Sequence, residues 1–365
     1  MRDVWLYNQR SMRILLLLVP FCLAGQPASP MIPARSFSEP DFVLHDAQHK
    51  EPQSGVQFGP GGITIQSGVG TPTAINTLAF SGDGKRLAAG KDFGRVTVWD
   101  FPGRTVLRSF DTGQGIVSAV ALDSDGTVLA TGGNGDKFSV KLWSVTSGKL
   151  MRTIKLGLDY AKDLRFAPSG KWLAATYNGA RSYILDPATG SVVLELKNTH
   201  GIRFSKDGTT LFTGDAENFA TWSTSNWARS GSVSRSKELP VMLAVEPQGE
   251  RMAVFQTWNV YLYRLSTGER LSVSPLPKNS TQIPKFAEFS VDGSLLFLTT
   301  NDRLWVWDTR TNGACESVVM FSSGGALSPD GRWLAGSKDD SIFSKERTDG
   351  VWVWNTEKLA EACGI

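Results

Sequence analysis

One pattern of about 40 residues occurs seven times in this chain and limits the folds open to it. Each copy has an apolar triplet, a turn ending in glycine, an alternating apolar segment and a strand-like run that mostly ends near a tryptophan. The turn glycines are Gly84, Gly126, Gly170, Gly208, Gly249, Gly293 and Gly331, with successive spacings of 42, 44, 38, 41, 44 and 38 residues. Short strands in repeats of this length are typical of β-propellers. We therefore expect an all-β fold: a seven-bladed β-propeller with four antiparallel strands in each blade.

Two residue types recur at fixed places in the repeat. Most turn glycines follow an aspartate, and an Asp-Gly pair supplies the positive φ that a tight hairpin turn requires. A tryptophan recurs as the penultimate residue of the third strand, at Trp99, Trp143, Trp222, Trp307 and Trp354. Because this position repeats once per blade, we interpret the tryptophans as core between blades rather than as a surface for stacking sugars.

The turn Ser328–Gly331 and the pairs Trp99-Asp100 and Trp307-Asp308 resemble the WD40 repeat family. The resemblance covers about four fifths of the chain. One feature of the family is missing, since no Gly-His dipeptide occurs and the histidines are His45, His49 and His200. The resemblance therefore implies a degenerate, bacterial version of the repeat, without the side-chain hydrogen-bond network that the Gly-His dipeptide brings.

The N-terminus has the pattern of an export signal. Arg2, Arg10 and Arg13 precede the apolar segment Ile14–Ala24, which is too short to span a bilayer. We expect residues 1–24 to be a signal peptide cut after Ala24, and the mature protein to be periplasmic or secreted. A buried N-terminal helix is the alternative.

Two further points concern this segment. The sequence leaves open whether Met1 or Met12 is the true start. A lipid anchor at Cys22 would need a small residue before the cysteine, and Phe21 is large. We therefore expect no stable membrane anchor after the signal is cut.

Residues 25–55 contain five prolines and no apolar period, which predicts a linker. The propeller is then expected over residues 56–365. Only a short tail follows Trp354, so the seventh blade lacks an outer strand of its own. We expect the alternating segment Gly62–Ser67 to supply that strand and close the ring, because an open ring would expose strand edges.

Cys315 and Cys363 are the two cysteines of the expected mature chain. An even number of cysteines in an oxidising compartment favours a disulfide. The bridge would tie the C-terminal tail to blade six. Two separate thiols are the alternative.

Charge and motif content narrow the classes of function. Without Arg2, Arg10, Arg13 and Asp3 the chain has 35 basic and 34 acidic side chains. A near-neutral body argues against binding to nucleic acid through phosphate neutralisation. We find no catalytic motif, no histidine pair at metal-ligand spacing and no cofactor motif, and we predict none of these sites.

The copies differ from one another in two places that could carry function. Arg165, Arg203 and Glu288 stand on innermost strands where other copies have alanine, and they are candidates for a ligand in the central channel. The loops joining second to third strands share one face of a propeller with the loops joining outer to first strands, and binding residues tend to lie on such loops. The candidates for partner binding there are Phe93, Tyr160, Trp258, Arg303 and Phe343, the last within an insertion over 338–349.

These observations lead to two hypotheses. The first is a non-enzymatic scaffold of the cell envelope or secreted fraction that binds a protein or peptide through the second-to-third-strand loops. The alternative is an enzyme or small-ligand binder that uses the central channel.

Overall fold

The computed structural model describes residues 40–46, 56–59, 62–65, 74–156, 159–178, 181–215, 218–234, 243–256, 259–274, 284–300, 303–316, 324–337 and 350–365. The candidates Trp258 and Phe343 and the expected signal peptide lie outside these residues.

Seven four-stranded antiparallel sheets form the blades, as the repeat predicts. Blades 1 to 3 are β4–β7 (Ile75–Phe80, Arg86–Lys91, Arg95–Asp100, Thr105–Asp111), β8–β11 (Val117–Leu122, Val128–Gly133, Val140–Ser144, Leu150–Ile154) and β12–β15 (Ala161–Phe166, Leu173–Tyr177, Arg181–Leu185, Val192–Lys197). Blades 4 and 5 are β16–β19 (Gly201–Phe204, Thr210–Gly214, Asn218–Ser223, Arg229–Ser234) and β20–β23 (Leu243–Val245, Arg251–Gln256, Asn259–Arg264, Arg270–Val273). Blade 6 is β24–β27 (Phe286–Phe289, Leu295–Thr299, Leu304–Asp308, Ala314–Glu316), and blade 7 is β28–β30 (Ala326–Leu327, Trp333–Ser337, Val351–Asn355) together with β1 (Phe42–Leu44).

The seven turn glycines take the conformation that their position predicts. Their φ angles lie between 69° and 75°, in the left-handed region that side chains with a Cβ disfavour. The first strands of successive blades contact one another around most of the ring, and β13 of blade 3 contacts the first strand of blade 4. The first strands therefore line the centre of the propeller.

The ring is closed by an N-terminal strand, but the closing segment differs from the expected one. Strand β1 pairs with β30, with Val43 opposite Trp352, and it lies inside the segment predicted as a linker. The expected closing segment at Gly62–Ser67 was wrong. Its described part, β3 (Gly62–Ile65), pairs with β2 (Val56–Gly59) in a separate hairpin.

The C-terminal tail forms helix α1 (Thr356–Cys363), which is tied to the closing strand and to blade 6. The Asn355 side chain accepts a hydrogen bond from the Lys358 backbone N–H and caps its first turn. Asp41, just before β1, forms an ion pair with Lys358 and accepts a bond from the Asn355 N–H. A disulfide joins Cys363 to Cys315 of β27, with Cα atoms 5.7 Å apart.

Arginines join consecutive blades at two recurring positions. Arg108 of blade 1 donates to the carbonyl oxygen of Thr146 in blade 2 at 2.7 Å, and Arg152 of blade 2 repeats this contact with Ala188 of blade 3 at 2.6 Å. Nearer the first turn of each repeat, Arg86 donates to the Gly126 carbonyl. Arg251 of blade 5 makes the equivalent bond to Gly293 of blade 6 at 2.8 Å. These side chains fill the clefts between their blades.

Candidate binding face and central channel

Phe93 lies at the tip of the loop between the second and third strands of blade 1. It has φ 58° and ψ 29°, a left-handed conformation that is uncommon for an aromatic residue, and 64% of its surface is exposed. Strain of this kind persists where the surroundings fix the backbone, and it concentrates at functional sites. Phe93 is therefore an apolar side chain that the fold holds in solvent.

Hydrogen bonds on both sides of Phe93 fix its turn. The Asn76 side-chain amide donates to the Asp92 carboxylate at 2.9 Å. The backbone N–H and the hydroxyl of Thr112 both donate to the Gly94 carbonyl at 2.8 Å. The Gly94 N–H donates to the carbonyl of Gly115, which connects this turn to the loop that enters blade 2.

Ile116 is the second exposed apolar residue on this face, with 45% of its surface in solvent. The Asn134 side-chain oxygen accepts a hydrogen bond from the Ile116 N–H at 2.8 Å, and the Asn134 N–H donates to the Ile116 carbonyl at 3.2 Å. We call the exposed residues Phe93 and Ile116, with the loops that hold them, the Phe93 face. It spans blades 1 and 2.

A turn in blade 2 borders the Phe93 face and is also left-handed. Asp136, Lys137 and Phe138 have φ angles of 46°, 56° and 57°. Lys141 holds the turn through an ion pair of 2.8 Å with Asp136 and a hydrogen bond of 2.7 Å to the Thr112 carbonyl. The hydrogen bond from Lys141 lowers the pKa of the Asp136 carboxyl. The turn is thus coupled to the loop beside Phe93.

The expected absence of a side-chain hydrogen-bond network was wrong for blade 2. Gln114 is fully buried and its amide donates to the Ser139 carbonyl at 2.7 Å. Thr131 donates to the Gln114 side-chain oxygen at 2.5 Å and accepts a bond from the Trp143 indole N–H at 3.0 Å. Gln114 follows Gly113, so a Gly-Gln pair takes part in this network where the sequence analysis looked for Gly-His. The Gly113-Gln114 pair is the signal that could have identified it.

The remaining loop candidates, Tyr160 and Arg303, differ in the contacts that hold them. Tyr160 is half-buried, and its carbonyl accepts a bond from the Asn178 N–H at 3.2 Å. Arg303 forms an ion pair of 2.6 Å with Glu316 inside blade 6. Phe93 is the most exposed of the candidates that the structure describes.

The three channel candidates meet in one ionic network together with Asp163, which the sequence analysis missed. Arg165 of blade 3 lies 2.7 Å from Glu288 of blade 6, on the opposite side of the ring. Asp163 contacts Arg165 at 3.1 Å and Arg203 of blade 4 at 2.9 Å. Two cations thus face two anions across the channel, and a ligand there would have to displace these ion pairs.

The shifts in pKa agree with this geometry. Burial raises the pKa of the Asp163 carboxyl, but the charges of Arg165 and Arg203 outweigh it and the pKa lies below its usual value. The carboxylates of Asp163 and Glu288 raise the pKa of Arg165 despite its burial. Asp163 and Arg165 are therefore charged at neutral pH. Among the described residues, no group of three histidine, cysteine or acidic side chains could hold a metal ion.

One segment of the chain matches a known family. Residues 104–144, which include the Gln114 network and most of the turns beside Phe93, match the WD domain, G-beta repeat. The chain is a β-propeller in which one segment is similar to a WD40 repeat. WD40 propellers typically act as scaffolds for protein interactions.

Two named proteins are similar in sequence to parts of this chain. The small ribosomal subunit protein RACK1y of Oryza sativa subsp. japonica is 28% identical over 129 residues, which are 33% of this chain and 38% of that protein. Telomerase protein component 1 of Rattus norvegicus is 26% identical over 318 residues, 82% of this chain but 12% of that protein. The chain therefore spans well under half the length of these two relatives.

A solved structure has the same fold. The β-propeller domain of Cps50 (Swd1) from Myceliophthora thermophila matches with a TM-score of 0.63 at 15% identity, over 78% of this chain and 99% of that one. Within the part of the chain that the structure describes, no helix is long and apolar enough to cross a membrane.

Proposed function

We propose that this propeller is a non-enzymatic scaffold that binds a protein or peptide partner through the Phe93 face. The observation that carries the proposal is the exposure of Phe93, 64%, on a turn that hydrogen bonds hold in a left-handed conformation. Aromatic residues often dominate binding energy when a partner buries them. Because the turn is already fixed, little conformational entropy is lost on binding.

The names of the relatives support a protein-binding role. One is named as a ribosomal subunit protein and another as a telomerase component, so both belong to larger assemblies. Neither name identifies the partner of this chain. The near-neutral body supports a protein partner over nucleic acid.

We further propose that the protein acts in a bacterial cell envelope or its secreted fraction. Support comes from the signal-like residues 1–24 and from the Cys315–Cys363 disulfide, a bond that persists in oxidising compartments. Export predicts a mature protein that begins at Gly25. N-terminal sequencing of the protein purified from its native cells measures this, and a mature chain that retains residues 1–24 would refute the signal peptide.

The binding proposal is tested by substitutions on the full chain. Phe93→Ala should weaken binding of a captured partner by about tenfold or more, because it removes the apolar anchor. Leu107→Ala is the matched control, since Leu107 is also an exposed apolar residue of blade 1, at 43%, but lies on the outer strand. Binding is measured by titration calorimetry. Equal affinities for the wild type and both variants would contradict the proposed face.

A further inference from the structure

A groove of about 610 Å³ opens between blades 4 and 5, on the side of the first-to-second-strand turns. Lys206, Asp207 and Thr210 of blade 4 line it, together with the third- and fourth-strand residues Thr221 and Ser230. The blade 5 turn at 247–249 forms the opposite wall. Its volume lies in the range of small-molecule sites.

The first reason for the groove is a polar residue at a core position of the repeat. The residue before the tryptophan position of the repeat is apolar and at most 1% exposed in six blades: Val98, Leu142, Ile184, Leu262, Val306 and Val353. In blade 4 this position is Thr221, which is partly exposed. Blade 4 therefore lacks the apolar contact that the other six blades have here.

The second reason is that blade 4 lacks the arginines that fill the equivalent cleft between blades 1 and 2. The position of Arg86, two residues after the turn glycine, is Thr210 in blade 4. Arg108 pairs with Val98 across β6 and β7, and the residue that pairs with Thr221 is Gly231. Three small residues thus replace two arginines and a valine, and the cleft stays open.

The lining of the groove has many hydroxyl groups and balanced charge. Ser230 donates to the Thr221 hydroxyl at 3.1 Å, and Thr209 donates to the Asp207 carboxylate at 2.9 Å. Lys206 and Asp207 contribute one positive and one negative charge. Hydroxyl groups both donate and accept hydrogen bonds, as the hydroxyls of a sugar do. The chemistry therefore matches a neutral ligand with many hydroxyl groups.

We propose that this groove binds a neutral saccharide. A peptide added as an extra strand fits less well, because the register of the outer strand β19 shifts between Thr221 and Trp222 and interrupts its edge. The site is separate from the Phe93 face, and the two proposals succeed or fail independently.

The test uses the full chain and four neutral disaccharides at millimolar concentration: maltose, cellobiose, lactose and N,N′-diacetylchitobiose. Saturation-transfer NMR should detect binding of at least one, and calorimetry gives its affinity. The double variant Thr221→Val/Gly231→Arg reproduces the Val98–Arg108 pair and should fill the groove. A Cβ at Gly231 would lie 2.8 Å from the Thr221 hydroxyl, so the side chain at position 221 must shift to admit the arginine. The Val98–Arg108 pair of blade 1 shows that a valine and an arginine can occupy these paired positions, and the Gly231 backbone is outside the left-handed region.

The proposal predicts that the double variant loses affinity by about tenfold or more while Thr105→Arg, an exposed threonine of blade 1, keeps it. Thr210→Arg is a second, independent filling variant, and circular dichroism verifies that each variant is folded. Phe93→Ala should leave saccharide binding unchanged. No binding of any of the four disaccharides, unchanged affinity in folded filling variants, or selection of a peptide that binds the groove in place of saccharides would each overturn the proposal.

Discussion

Lys91 is a charged residue buried inside blade 1, with 1% of its side chain exposed. Its ammonium lies 3.4 Å from the Asp46 carboxylate and 5.8 Å from the centre of the Trp99 ring. Thr97 donates a hydrogen bond of 2.9 Å to the same carboxylate. Asp46 follows the closing strand, so this pair joins the end of blade 7 to blade 1.

Asp46→Ala should lower the free energy of unfolding by about 3 kcal/mol, because a buried ammonium would lose its counter-charge. Chemical denaturation of the full chain measures the change. Glu269→Gln is the control, since its ion pair with Arg264 is exposed and should contribute less than about 1 kcal/mol. Equal losses of unfolding free energy in the two variants would show that the buried ion pair stabilises the fold no more than the exposed one.

Roles that follow from a residue's position in the repeat could be predicted from the sequence. Contacts between residues that are far apart in the sequence could not. The turn glycines follow from local backbone geometry. Arg165 and Glu288 were both recognised because they interrupt the repeat, but their pairing across 123 positions was not, and Asp163 had no distinguishing pattern. Gln114 was missed because the network was sought through one residue type.

At the scale of elements, the closing strand shows why a three-residue strand is difficult to recognise. Phe42–Leu44 is too short to establish an alternating pattern, and prolines surround it in the sequence. What identifies it is its partner β30, which needs an outer strand. Gly62–Ile65 has the clearer pattern but finds a partner in the neighbouring strand.

Truncation tests whether β1 or the segment Gly62–Ser67 closes the ring. A chain that starts at residue 40 should unfold with the cooperativity of the full chain. A chain that starts at residue 56 should have a free energy of unfolding lower by several kcal/mol, because blade 7 loses β1 and Lys91 loses Asp46. Thermal unfolding of both chains measures this. Full stability of the chain that starts at 56 would show that β1 does not close the ring.

At the scale of the whole molecule, the channel network links blades 3, 4 and 6 through the centre of the ring. Asp163 is central to it, because its carboxylate separates the guanidinium groups of Arg165 and Arg203. Its pKa is lower in the folded protein than in the unfolded chain, so the carboxylate binds protons more readily after unfolding. The stability that it contributes is therefore present above the ordinary pKa near 4 and is lost as the pH falls through the folded value.

Asp163→Asn should lower stability by about 2 kcal/mol at neutral pH, because two cations lose the charge between them. The difference from the wild type should shrink as the pH falls below about 4. Denaturation curves at a series of pH values measure it, again with Glu269→Gln as the exposed control. A difference that stays constant with pH would mean that the Asp163 charge contributes nothing.

Binding through the Phe93 face is tested most directly by hydrogen–deuterium exchange on the complex with a captured partner. Binding should slow exchange in segments 92–95, 113–116 and 134–138, which form or border this face. The first-to-second-strand turns, such as 82–85 and 124–127, should exchange as in the free protein. Protection of those turns with none at Phe93 would contradict the proposed function.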